Sequence, residues 1–167
     1  MHALQTASEC PSGPRITWMP DFSPRHRFSD WPNKGIPLVA AGVYAIWERE
    51  ELIYCGMSGR ELEKATAAGK ARYGLVTRLE AHRNGRLSGD QFCVYIANRR
   101  VIPALTADQL ERFRHGELNL DALSRDHIRQ HLDYQFVVVD SSKAAHELER
   151  SCRRGEVFGV KPILNPL

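Results

Sequence analysis

Two runs with the alternation of β-strands lie close together in this chain. Gly42-Val-Tyr-Ala-Ile-Trp47 and Leu52-Ile-Tyr-Cys-Gly-Met57 flank the charged segment Glu48-Arg49-Glu50-Glu51, which predicts a hairpin over 42–57. Side chains alternate between the two faces of a strand. Tyr44 and Tyr54 therefore share a face if they pair directly, a register that sets Trp47 opposite Glu51 and leaves a three-residue loop. A two-residue loop sets Tyr44 opposite Cys55 and sends the tyrosines to opposite faces. Leu75, Val76 and Leu79 then fall at helical spacing, with Arg78 and His82 one turn apart on another face, and Asn84-Gly85 closes the helix as a C-cap. Ser88-Gly89-Asp90 reads as a turn, and Gln91–Ala97 as a third, β-prone strand.

Further on, Thr106-Ala-Asp-Gln109 is a capping box opening a helix to about His115. A second helix spans Leu123 to Leu132 with Ser124 near its start. Tyr134–Asp140 is a β-branched run that predicts a buried strand. Ser141-Ser142 cap a helix to about Arg154, with Ala144, Ala145, Leu148 and Cys152 at core spacing and Gly155 as its end. The two prolines of the tail hold 161–167 extended. The sum is an α/β chain of the α+β type: a small, mainly antiparallel sheet of three to four strands (hairpin 42–57, strands near 91–97 and 134–140) flanked by helices. Six of the nine prolines fall within residues 1–37. That stretch predicts an extended arm, which Trp18, Phe22, Phe28 and Trp31 lay on the domain. Residues 38–167 form one domain, in which 58–74 reads as an insertion or surface loop.

Composition narrows the functional classes. A chain of 167 residues, 43% hydrophobic, buries one substantial core. It has no apolar run near the ~20 residues of a membrane span, and its first residues lack the pattern of a secretory signal, which places it in the cytoplasm. Cys10, Cys55, Cys93 and Cys152 are scattered, without zinc-finger spacing, and are expected to be reduced. The net charge of +3 permits a polyanionic partner without requiring one.

The hairpin residues also carry a resemblance. Gly42-Val43-Tyr44 followed by Tyr54-Cys55-Gly56, Arg78 on the next helix, Glu149 in Ala145-His-Glu-Leu148-Glu149 and Asn165 after Pro162 follow in the order of the GIY-YIG nucleases, which this chain resembles from about residue 40 to 166, with insertions near 58–74 and 98–132 implied by that resemblance. The resemblance implies hydrolysis of a DNA phosphodiester with one divalent metal, Mg²⁺ or in its place Mn²⁺. Glu149 is then the metal ligand, a hard oxygen donor suited to Mg²⁺. Arg78 holds the phosphate through its planar fork of donors. Tyr44 is the general base; because a phenol has an ordinary pKa of about 10, it needs help, and His82, four residues after Arg78, is the natural proton acceptor. Tyr54 orients water or phosphate. Gly42, Gly56 and Asn165 support the site. Many relatives carry a lysine where this chain has Met57; His82, Arg60 or Lys70 is expected to take over that role.

Lys70, Arg72, Arg78, Arg83 and Arg86 crowd one stretch with Glu80 as the opposing charge. With Arg60 they form an expected track for DNA phosphates. A catalytically silent nucleic-acid-binding module on the same scaffold is the alternative, motivated by Met57. The sequence fits a monomer or a homodimer equally.

Overall fold

The computed structural model describes residues 20–165; Cys10, Trp18 and the prolines at 11 and 14 lie outside the described residues. In chain order the elements are β1 (His26–Arg27), β2 (Val39–Glu48), β3 (Glu51–Ser58), α1 (Leu62–Ala67), β4 (Tyr73–Gly74), α2 (Leu75–Asn84), α3 (Gln91–Ile96), α4 (Ala107–Arg114), α5 (Leu120–His131), β5 (Leu132–Val139) and α6 (Ser142–Arg154). They make a mixed α+β fold with a small, open sheet of five strands in the order β1-β5-β2-β3, in which β4 runs parallel to the start of β2 and the other pairings are antiparallel. Among the described residues no helix is long and apolar enough to cross a membrane.

Strand β2 is central and apolar on both faces, so each face has its own core. Tyr44 and Ile46, with Tyr134 and Phe136 of β5, pack beneath α2, α3 and α5. Val43, Ala45 and Trp47, with Leu52 and Cys55 of β3, pack against Ala145, Leu148 and Cys152 of α6. Burial at three- and four-residue spacing on α6 is the amphipathic stripe that its sequence predicts. Ser141 caps its start, accepting from the Ala144 N–H at 3.1 Å, and Gly155 closes it in the left-handed region at φ 83°.

The hairpin follows neither expected register. Its turn is the two-residue Arg49-Glu50, with Glu48 opposite Glu51 and Trp47 opposite Leu52. Carried on, that register separates the tyrosines. Between Ile46 and Trp47, however, the pairing shifts so that Ile46 faces Tyr54 and Tyr44 faces Gly56. Ile53 is therefore the extra residue of a β-bulge, fully buried, and it returns Tyr54 to the face of Tyr44 as a diagonal rather than a direct partner. The C-terminal tail covers this irregular edge: the Ile163 and Leu164 N–H groups donate to the carbonyls of Leu52 and Ile53 at 3.2 and 2.8 Å. A bulged edge strand is thus closed rather than left open to solvent.

The expected third strand at 91–97 is a helix. Asp90 caps α3 by accepting from the Phe92 N–H at 3.1 Å, and a wide helical turn at Ala97–Val101 continues it. Phe92, Cys93, Ile96 and Ala97 are the buried positions, an i, i+1, i+4, i+5 set with the helical period; the β-prone residue types had suggested the wrong one. Helix α5 begins three residues before the expected Leu123, because Asn119 rather than Ser124 is the cap and accepts from the Ala122 N–H at 2.8 Å. The expected buried strand is β5, covered through Phe136, while Val138 near its end is 45% exposed. The stretch 58–74 contains α1 and β4, and 98–132 contains α4 and α5. The Thr106/Gln109 capping box is formed in both directions.

Candidate active site

Two glycines explain how closely the sheet and helices meet. A Cβ on Gly42 would run into the Val137 carbonyl and the Leu75 side chain, and one on Gly56 into the ring and hydroxyl of Tyr44. Gly42 thus lets α2 settle against the sheet, and Gly56 lets the Tyr44 ring lie across the neighbouring strand. The Tyr44 and Tyr54 rings are 6.4 Å apart.

The Tyr44 hydroxyl, buried at 2% residue exposure, lies 2.8 Å from His82 Nε2. His82 sits on α2, is equally buried, and its Nδ1 lies 2.6 Å from Asp90 Oδ2. The other Asp90 oxygen takes the Phe92 N–H. Burial holds the His82 imidazole below its ordinary pKa against the pull of Asp90, which acts upward. Burial pushes Asp90 up, but the His82 hydrogen bond and charge outweigh it and leave the carboxyl below its usual range. His82 is therefore neutral near pH 7 and Asp90 is ionised. The proton then belongs on Nδ1, donated to Asp90, and Nε2 is left to accept from the Tyr44 hydroxyl. Burial, followed by the Tyr54 charge, raises Tyr44 well above the ordinary phenol value, with Arg78 opposing and Asp90 and Glu149 adding to the rise. Tyr54, only half-buried, is pushed up to about 12, by burial first and then by Asp90 and Glu149.

The charges of Arg78 on α2 and Glu149 on α6 both act on Tyr44, from opposite directions in their effect on its pKa. Arg78 is exposed and lines a hollow of about 690 Å³ with Met57, Gly59, Arg60 and Tyr73. Glu149 is 13% exposed, with Arg153 at 3.5 Å and His146 at 3.9 Å. Asn165 holds the backbone of Cys55 from the tail, accepting its N–H at 2.7 Å and donating to its carbonyl at 2.9 Å. That residue lies between Tyr54 and Gly56, so the tail fixes the strand that presents Tyr54.

Other expected residues are committed elsewhere. Arg72 pairs with Glu80 at 2.9 Å, Lys70 lies over the Tyr73 ring at 5.1 Å, and Arg83 Nε donates to the Phe28 carbonyl at 3.0 Å, tying down the N-terminal segment. Arg60 shares the Arg78 hollow, whereas Arg86 is across Ala81 in a separate cleft. The sequence reading missed Asp90. Its eight-residue offset from His82 carries no helical or strand periodicity, and the Ser88-Gly89-Asp90 pattern pointed to a turn; a cap signal ahead of Phe92 was the available clue.

Two donor sets could hold a metal. His82, Asp90 and Cys93 place three ligand atoms within 4.8 Å of one another, and this buried group could hold a metal ion. Its nitrogen, oxygen and sulfur atoms suit zinc-like ions better than magnesium. Both imidazole nitrogens are already engaged, and burial with the nearby Asp90 charge pushes the Cys93 thiol up, away from the thiolate a metal needs. Glu149 offers a single carboxylate whose charge acts on both tyrosines, the donor type of a cation that keeps most of its waters.

Comparison of the chain with protein-family models, with curated proteins and with solved structures returns no match in any of the three.

Proposed function

We propose that this protein is a metal-dependent DNA endonuclease of the GIY-YIG type, acting in the cytoplasm. The observation that carries the reading is the buried chain of hydrogen bonds from Tyr44 through His82 to Asp90. Hydrolysis of a phosphodiester needs an activated water and a counter-charge for the phosphoryl oxygens. Because burial keeps Tyr44 protonated, it serves as a relay rather than as a standing phenolate. Its oxygen takes a proton from water as its own hydrogen passes to His82 Nε2, and Asp90 stabilises the imidazolium that results. Arg78, exposed beside the site, binds the scissile phosphate, and Tyr54 orients the water or the phosphate. Glu149 would hold one divalent cation, Mg²⁺ or Mn²⁺, which supplies charge stabilisation at the phosphate and the leaving oxygen.

The test is Mg²⁺-dependent nicking of plasmid and branched DNA. Glu149→Gln and Arg78→Ala are each expected to abolish cleavage; unchanged nicking by both variants sinks the assignment. One observation favours a second reading. Met57, which can neither donate to phosphate nor move a proton, lines the same hollow as Arg78, as in a silent nucleic-acid-binding module. That reading predicts salt-sensitive binding and no cleavage with Mg²⁺ or Mn²⁺.

A further inference from the structure

The hollow that contains Arg78 ends at Ala81 of α2, and a second cleft of about 530 Å³ begins at that same residue. Arg86, Arg125 and Arg129 line this second cleft. Two elements contribute them: the turn after α2 and helix α5, which belongs to a different part of the chain. The Arg125 Nε donates to the Asn84 carbonyl at 3.2 Å, which seats its guanidinium at the end of α2. Arg129 Nε is buried and has no hydrogen-bond partner among the described residues. Among those residues the arginine–carboxylate ion pairs fall elsewhere, at Arg72, Arg112, Arg114 and Arg154 for example, and none involves Arg86, Arg125 or Arg129.

No nearby acidic group forms an ion pair with the cluster among the described residues. Asp90 reaches the cleft wall, but its two oxygens are taken by His82 and the Phe92 N–H. Asp121 accepts the Leu87 N–H at 3.1 Å. Burial and the like charges of Arg83 and Arg125 hold Arg129 below its ordinary pKa, with Asp126 offsetting part of this. Guanidinium groups held together against their own repulsion, with an unmet buried donor, suit an anion that brings negative charge and several acceptors at once.

We infer that the Arg86–Arg125–Arg129 cleft binds a backbone phosphate of the DNA whose scissile phosphate sits at Arg78. This rests on the endonuclease reading and extends it to α5. From Arg78 to the end of α2 is about 9 Å at 1.5 Å per residue, short enough for one strand to place phosphates at both sites. Ala81 is the saddle between them, small enough to let the backbone pass. The cleft fixes register along the strand and reads no bases.

The experiment is binding of a fluorescein-labelled duplex, without divalent metal, by anisotropy across a salt series. The double variant Arg125→Ala/Arg129→Ala is expected to lower the slope of log affinity against log salt by ~0.9, since each phosphate neutralised adds ~0.9 to that slope and the cleft holds one. Arg125→Lys/Arg129→Lys, which keeps the charge, is expected to retain most of the slope and shows that a decrease in the alanine variant is electrostatic rather than a failure to fold. Arg114→Ala on α4, whose side chain is paired with Glu111 at 3.1 Å, serves as the remote control and leaves the slope unchanged. An alanine variant with the wild-type slope overturns the inference even if the wild type cuts DNA. A reduced slope in a protein that does not cut supports the cleft and leaves the endonuclease reading to fail by itself.

Discussion

Two of the histidine–carboxylate pairs among the described residues, His82–Asp90 and His127–Glu48, lie one near each end of the hairpin, and they differ in what surrounds them. At the turn end, Glu48 has His127 at 3.0 Å and Arg100 at 2.7 Å, while Arg100 also reaches Glu51 at 3.5 Å. The His127 and Arg100 nitrogens nearest Glu48 are off the hydrogen-bond line, and the carboxylate is 19% exposed. At the other end Asp90 holds one face of His82 in a 2.6 Å hydrogen bond, and the opposite nitrogen meets the Tyr44 hydroxyl. A histidine–carboxylate pair alone is ordinary. What distinguishes His82 is a third group with a transferable proton on its free nitrogen, in a setting dry enough to fix the tautomer. His127 instead lies tilted against the His131 ring, with centroids 5.0 Å apart, and its carboxylate is already shared with arginine.

The comparison breaks most sharply at the phenol. Tyr44→Phe removes the hydroxyl while keeping the ring over Gly56, and cleavage is expected to fall by ~10²–10⁴-fold, the usual worth of a positioned proton-transfer group. His127→Ala is expected to leave cleavage unchanged. Both are read as single-turnover nicking rates at saturating Mg²⁺, with melting temperature as the folding control. Equal rates for Tyr44→Phe and wild type would make the two pairs alike.

Asp90→Asn tests the fixed tautomer. Asparagine keeps the cap on α3 but no longer stabilises the imidazolium, and a loss of roughly ten- to a hundredfold is expected, the range for a group that orients another. The pH profile separates this from a structural role. On the endonuclease reading cleavage needs neutral His82, so wild-type activity is expected to be lost as pH falls through a pKa that burial holds below 6.5. Asp90 acts on that pKa upward, so the variant's acid limb moves to lower pH even as its plateau drops. Stability has the same sign. The contribution from burying His82 neutral is complete above its unfolded pKa near 6.5 and lost as pH falls through the lower folded value. An acid limb that stays in place would reduce Asp90 to a helix cap.

Tyr54→Phe is the next smaller perturbation. Tyr54 is half-buried and contacts the Phe92 ring at 5.1 Å and the His82 ring at 6.2 Å, without a place in the Tyr44–His82–Asp90 chain. A severalfold decrease in rate is expected, well under the loss for Tyr44→Phe and with the acid limb unmoved. A loss as large as that for Tyr44→Phe would transfer the proton-handling role to the half-exposed phenol.

Local signals explain what the sequence shows of this arrangement. The hairpin, α2, β5 and α6 were legible because each carries its own period and its own caps, as at Gly85 and Gly155. Tyr44 and His82, which meet at 2.8 Å, could be picked out from residue type and order. The bulge was not, since Ile53 looks like any strand residue, and only tertiary packing decides that it falls out of step. Helix α3 was missed because Phe92, Val94 and Ile96 alternate as a strand would, while burial follows Phe92, Cys93, Ile96 and Ala97. Asp90, Arg125 and Arg129 stayed hidden for a related reason: their meaning comes from partners on other elements, His82 for the first and Arg86 for the other two.

Glu48→Gln addresses the turn end and has the smallest expected effect. It removes the counter-charge of Arg100 and His127, side chains that are 25% and 19% exposed. Solvent screening keeps the cost to about 1 kcal/mol, a decrease of roughly 2–4 °C in melting temperature for a chain of this size. Cleavage should stay within twofold of wild type. Burial holds His127 below its ordinary pKa while Glu48 acts to raise it. Without Glu48 the folded-state value drops further below the unfolded 6.5, so protonating the folded protein costs more. The difference in melting temperature between variant and wild type should therefore widen as pH falls from 7 to 5. A gap that narrows would show that Glu48 does not hold His127. A tenfold loss of cleavage at constant melting temperature would instead join the two ends of the hairpin into one site.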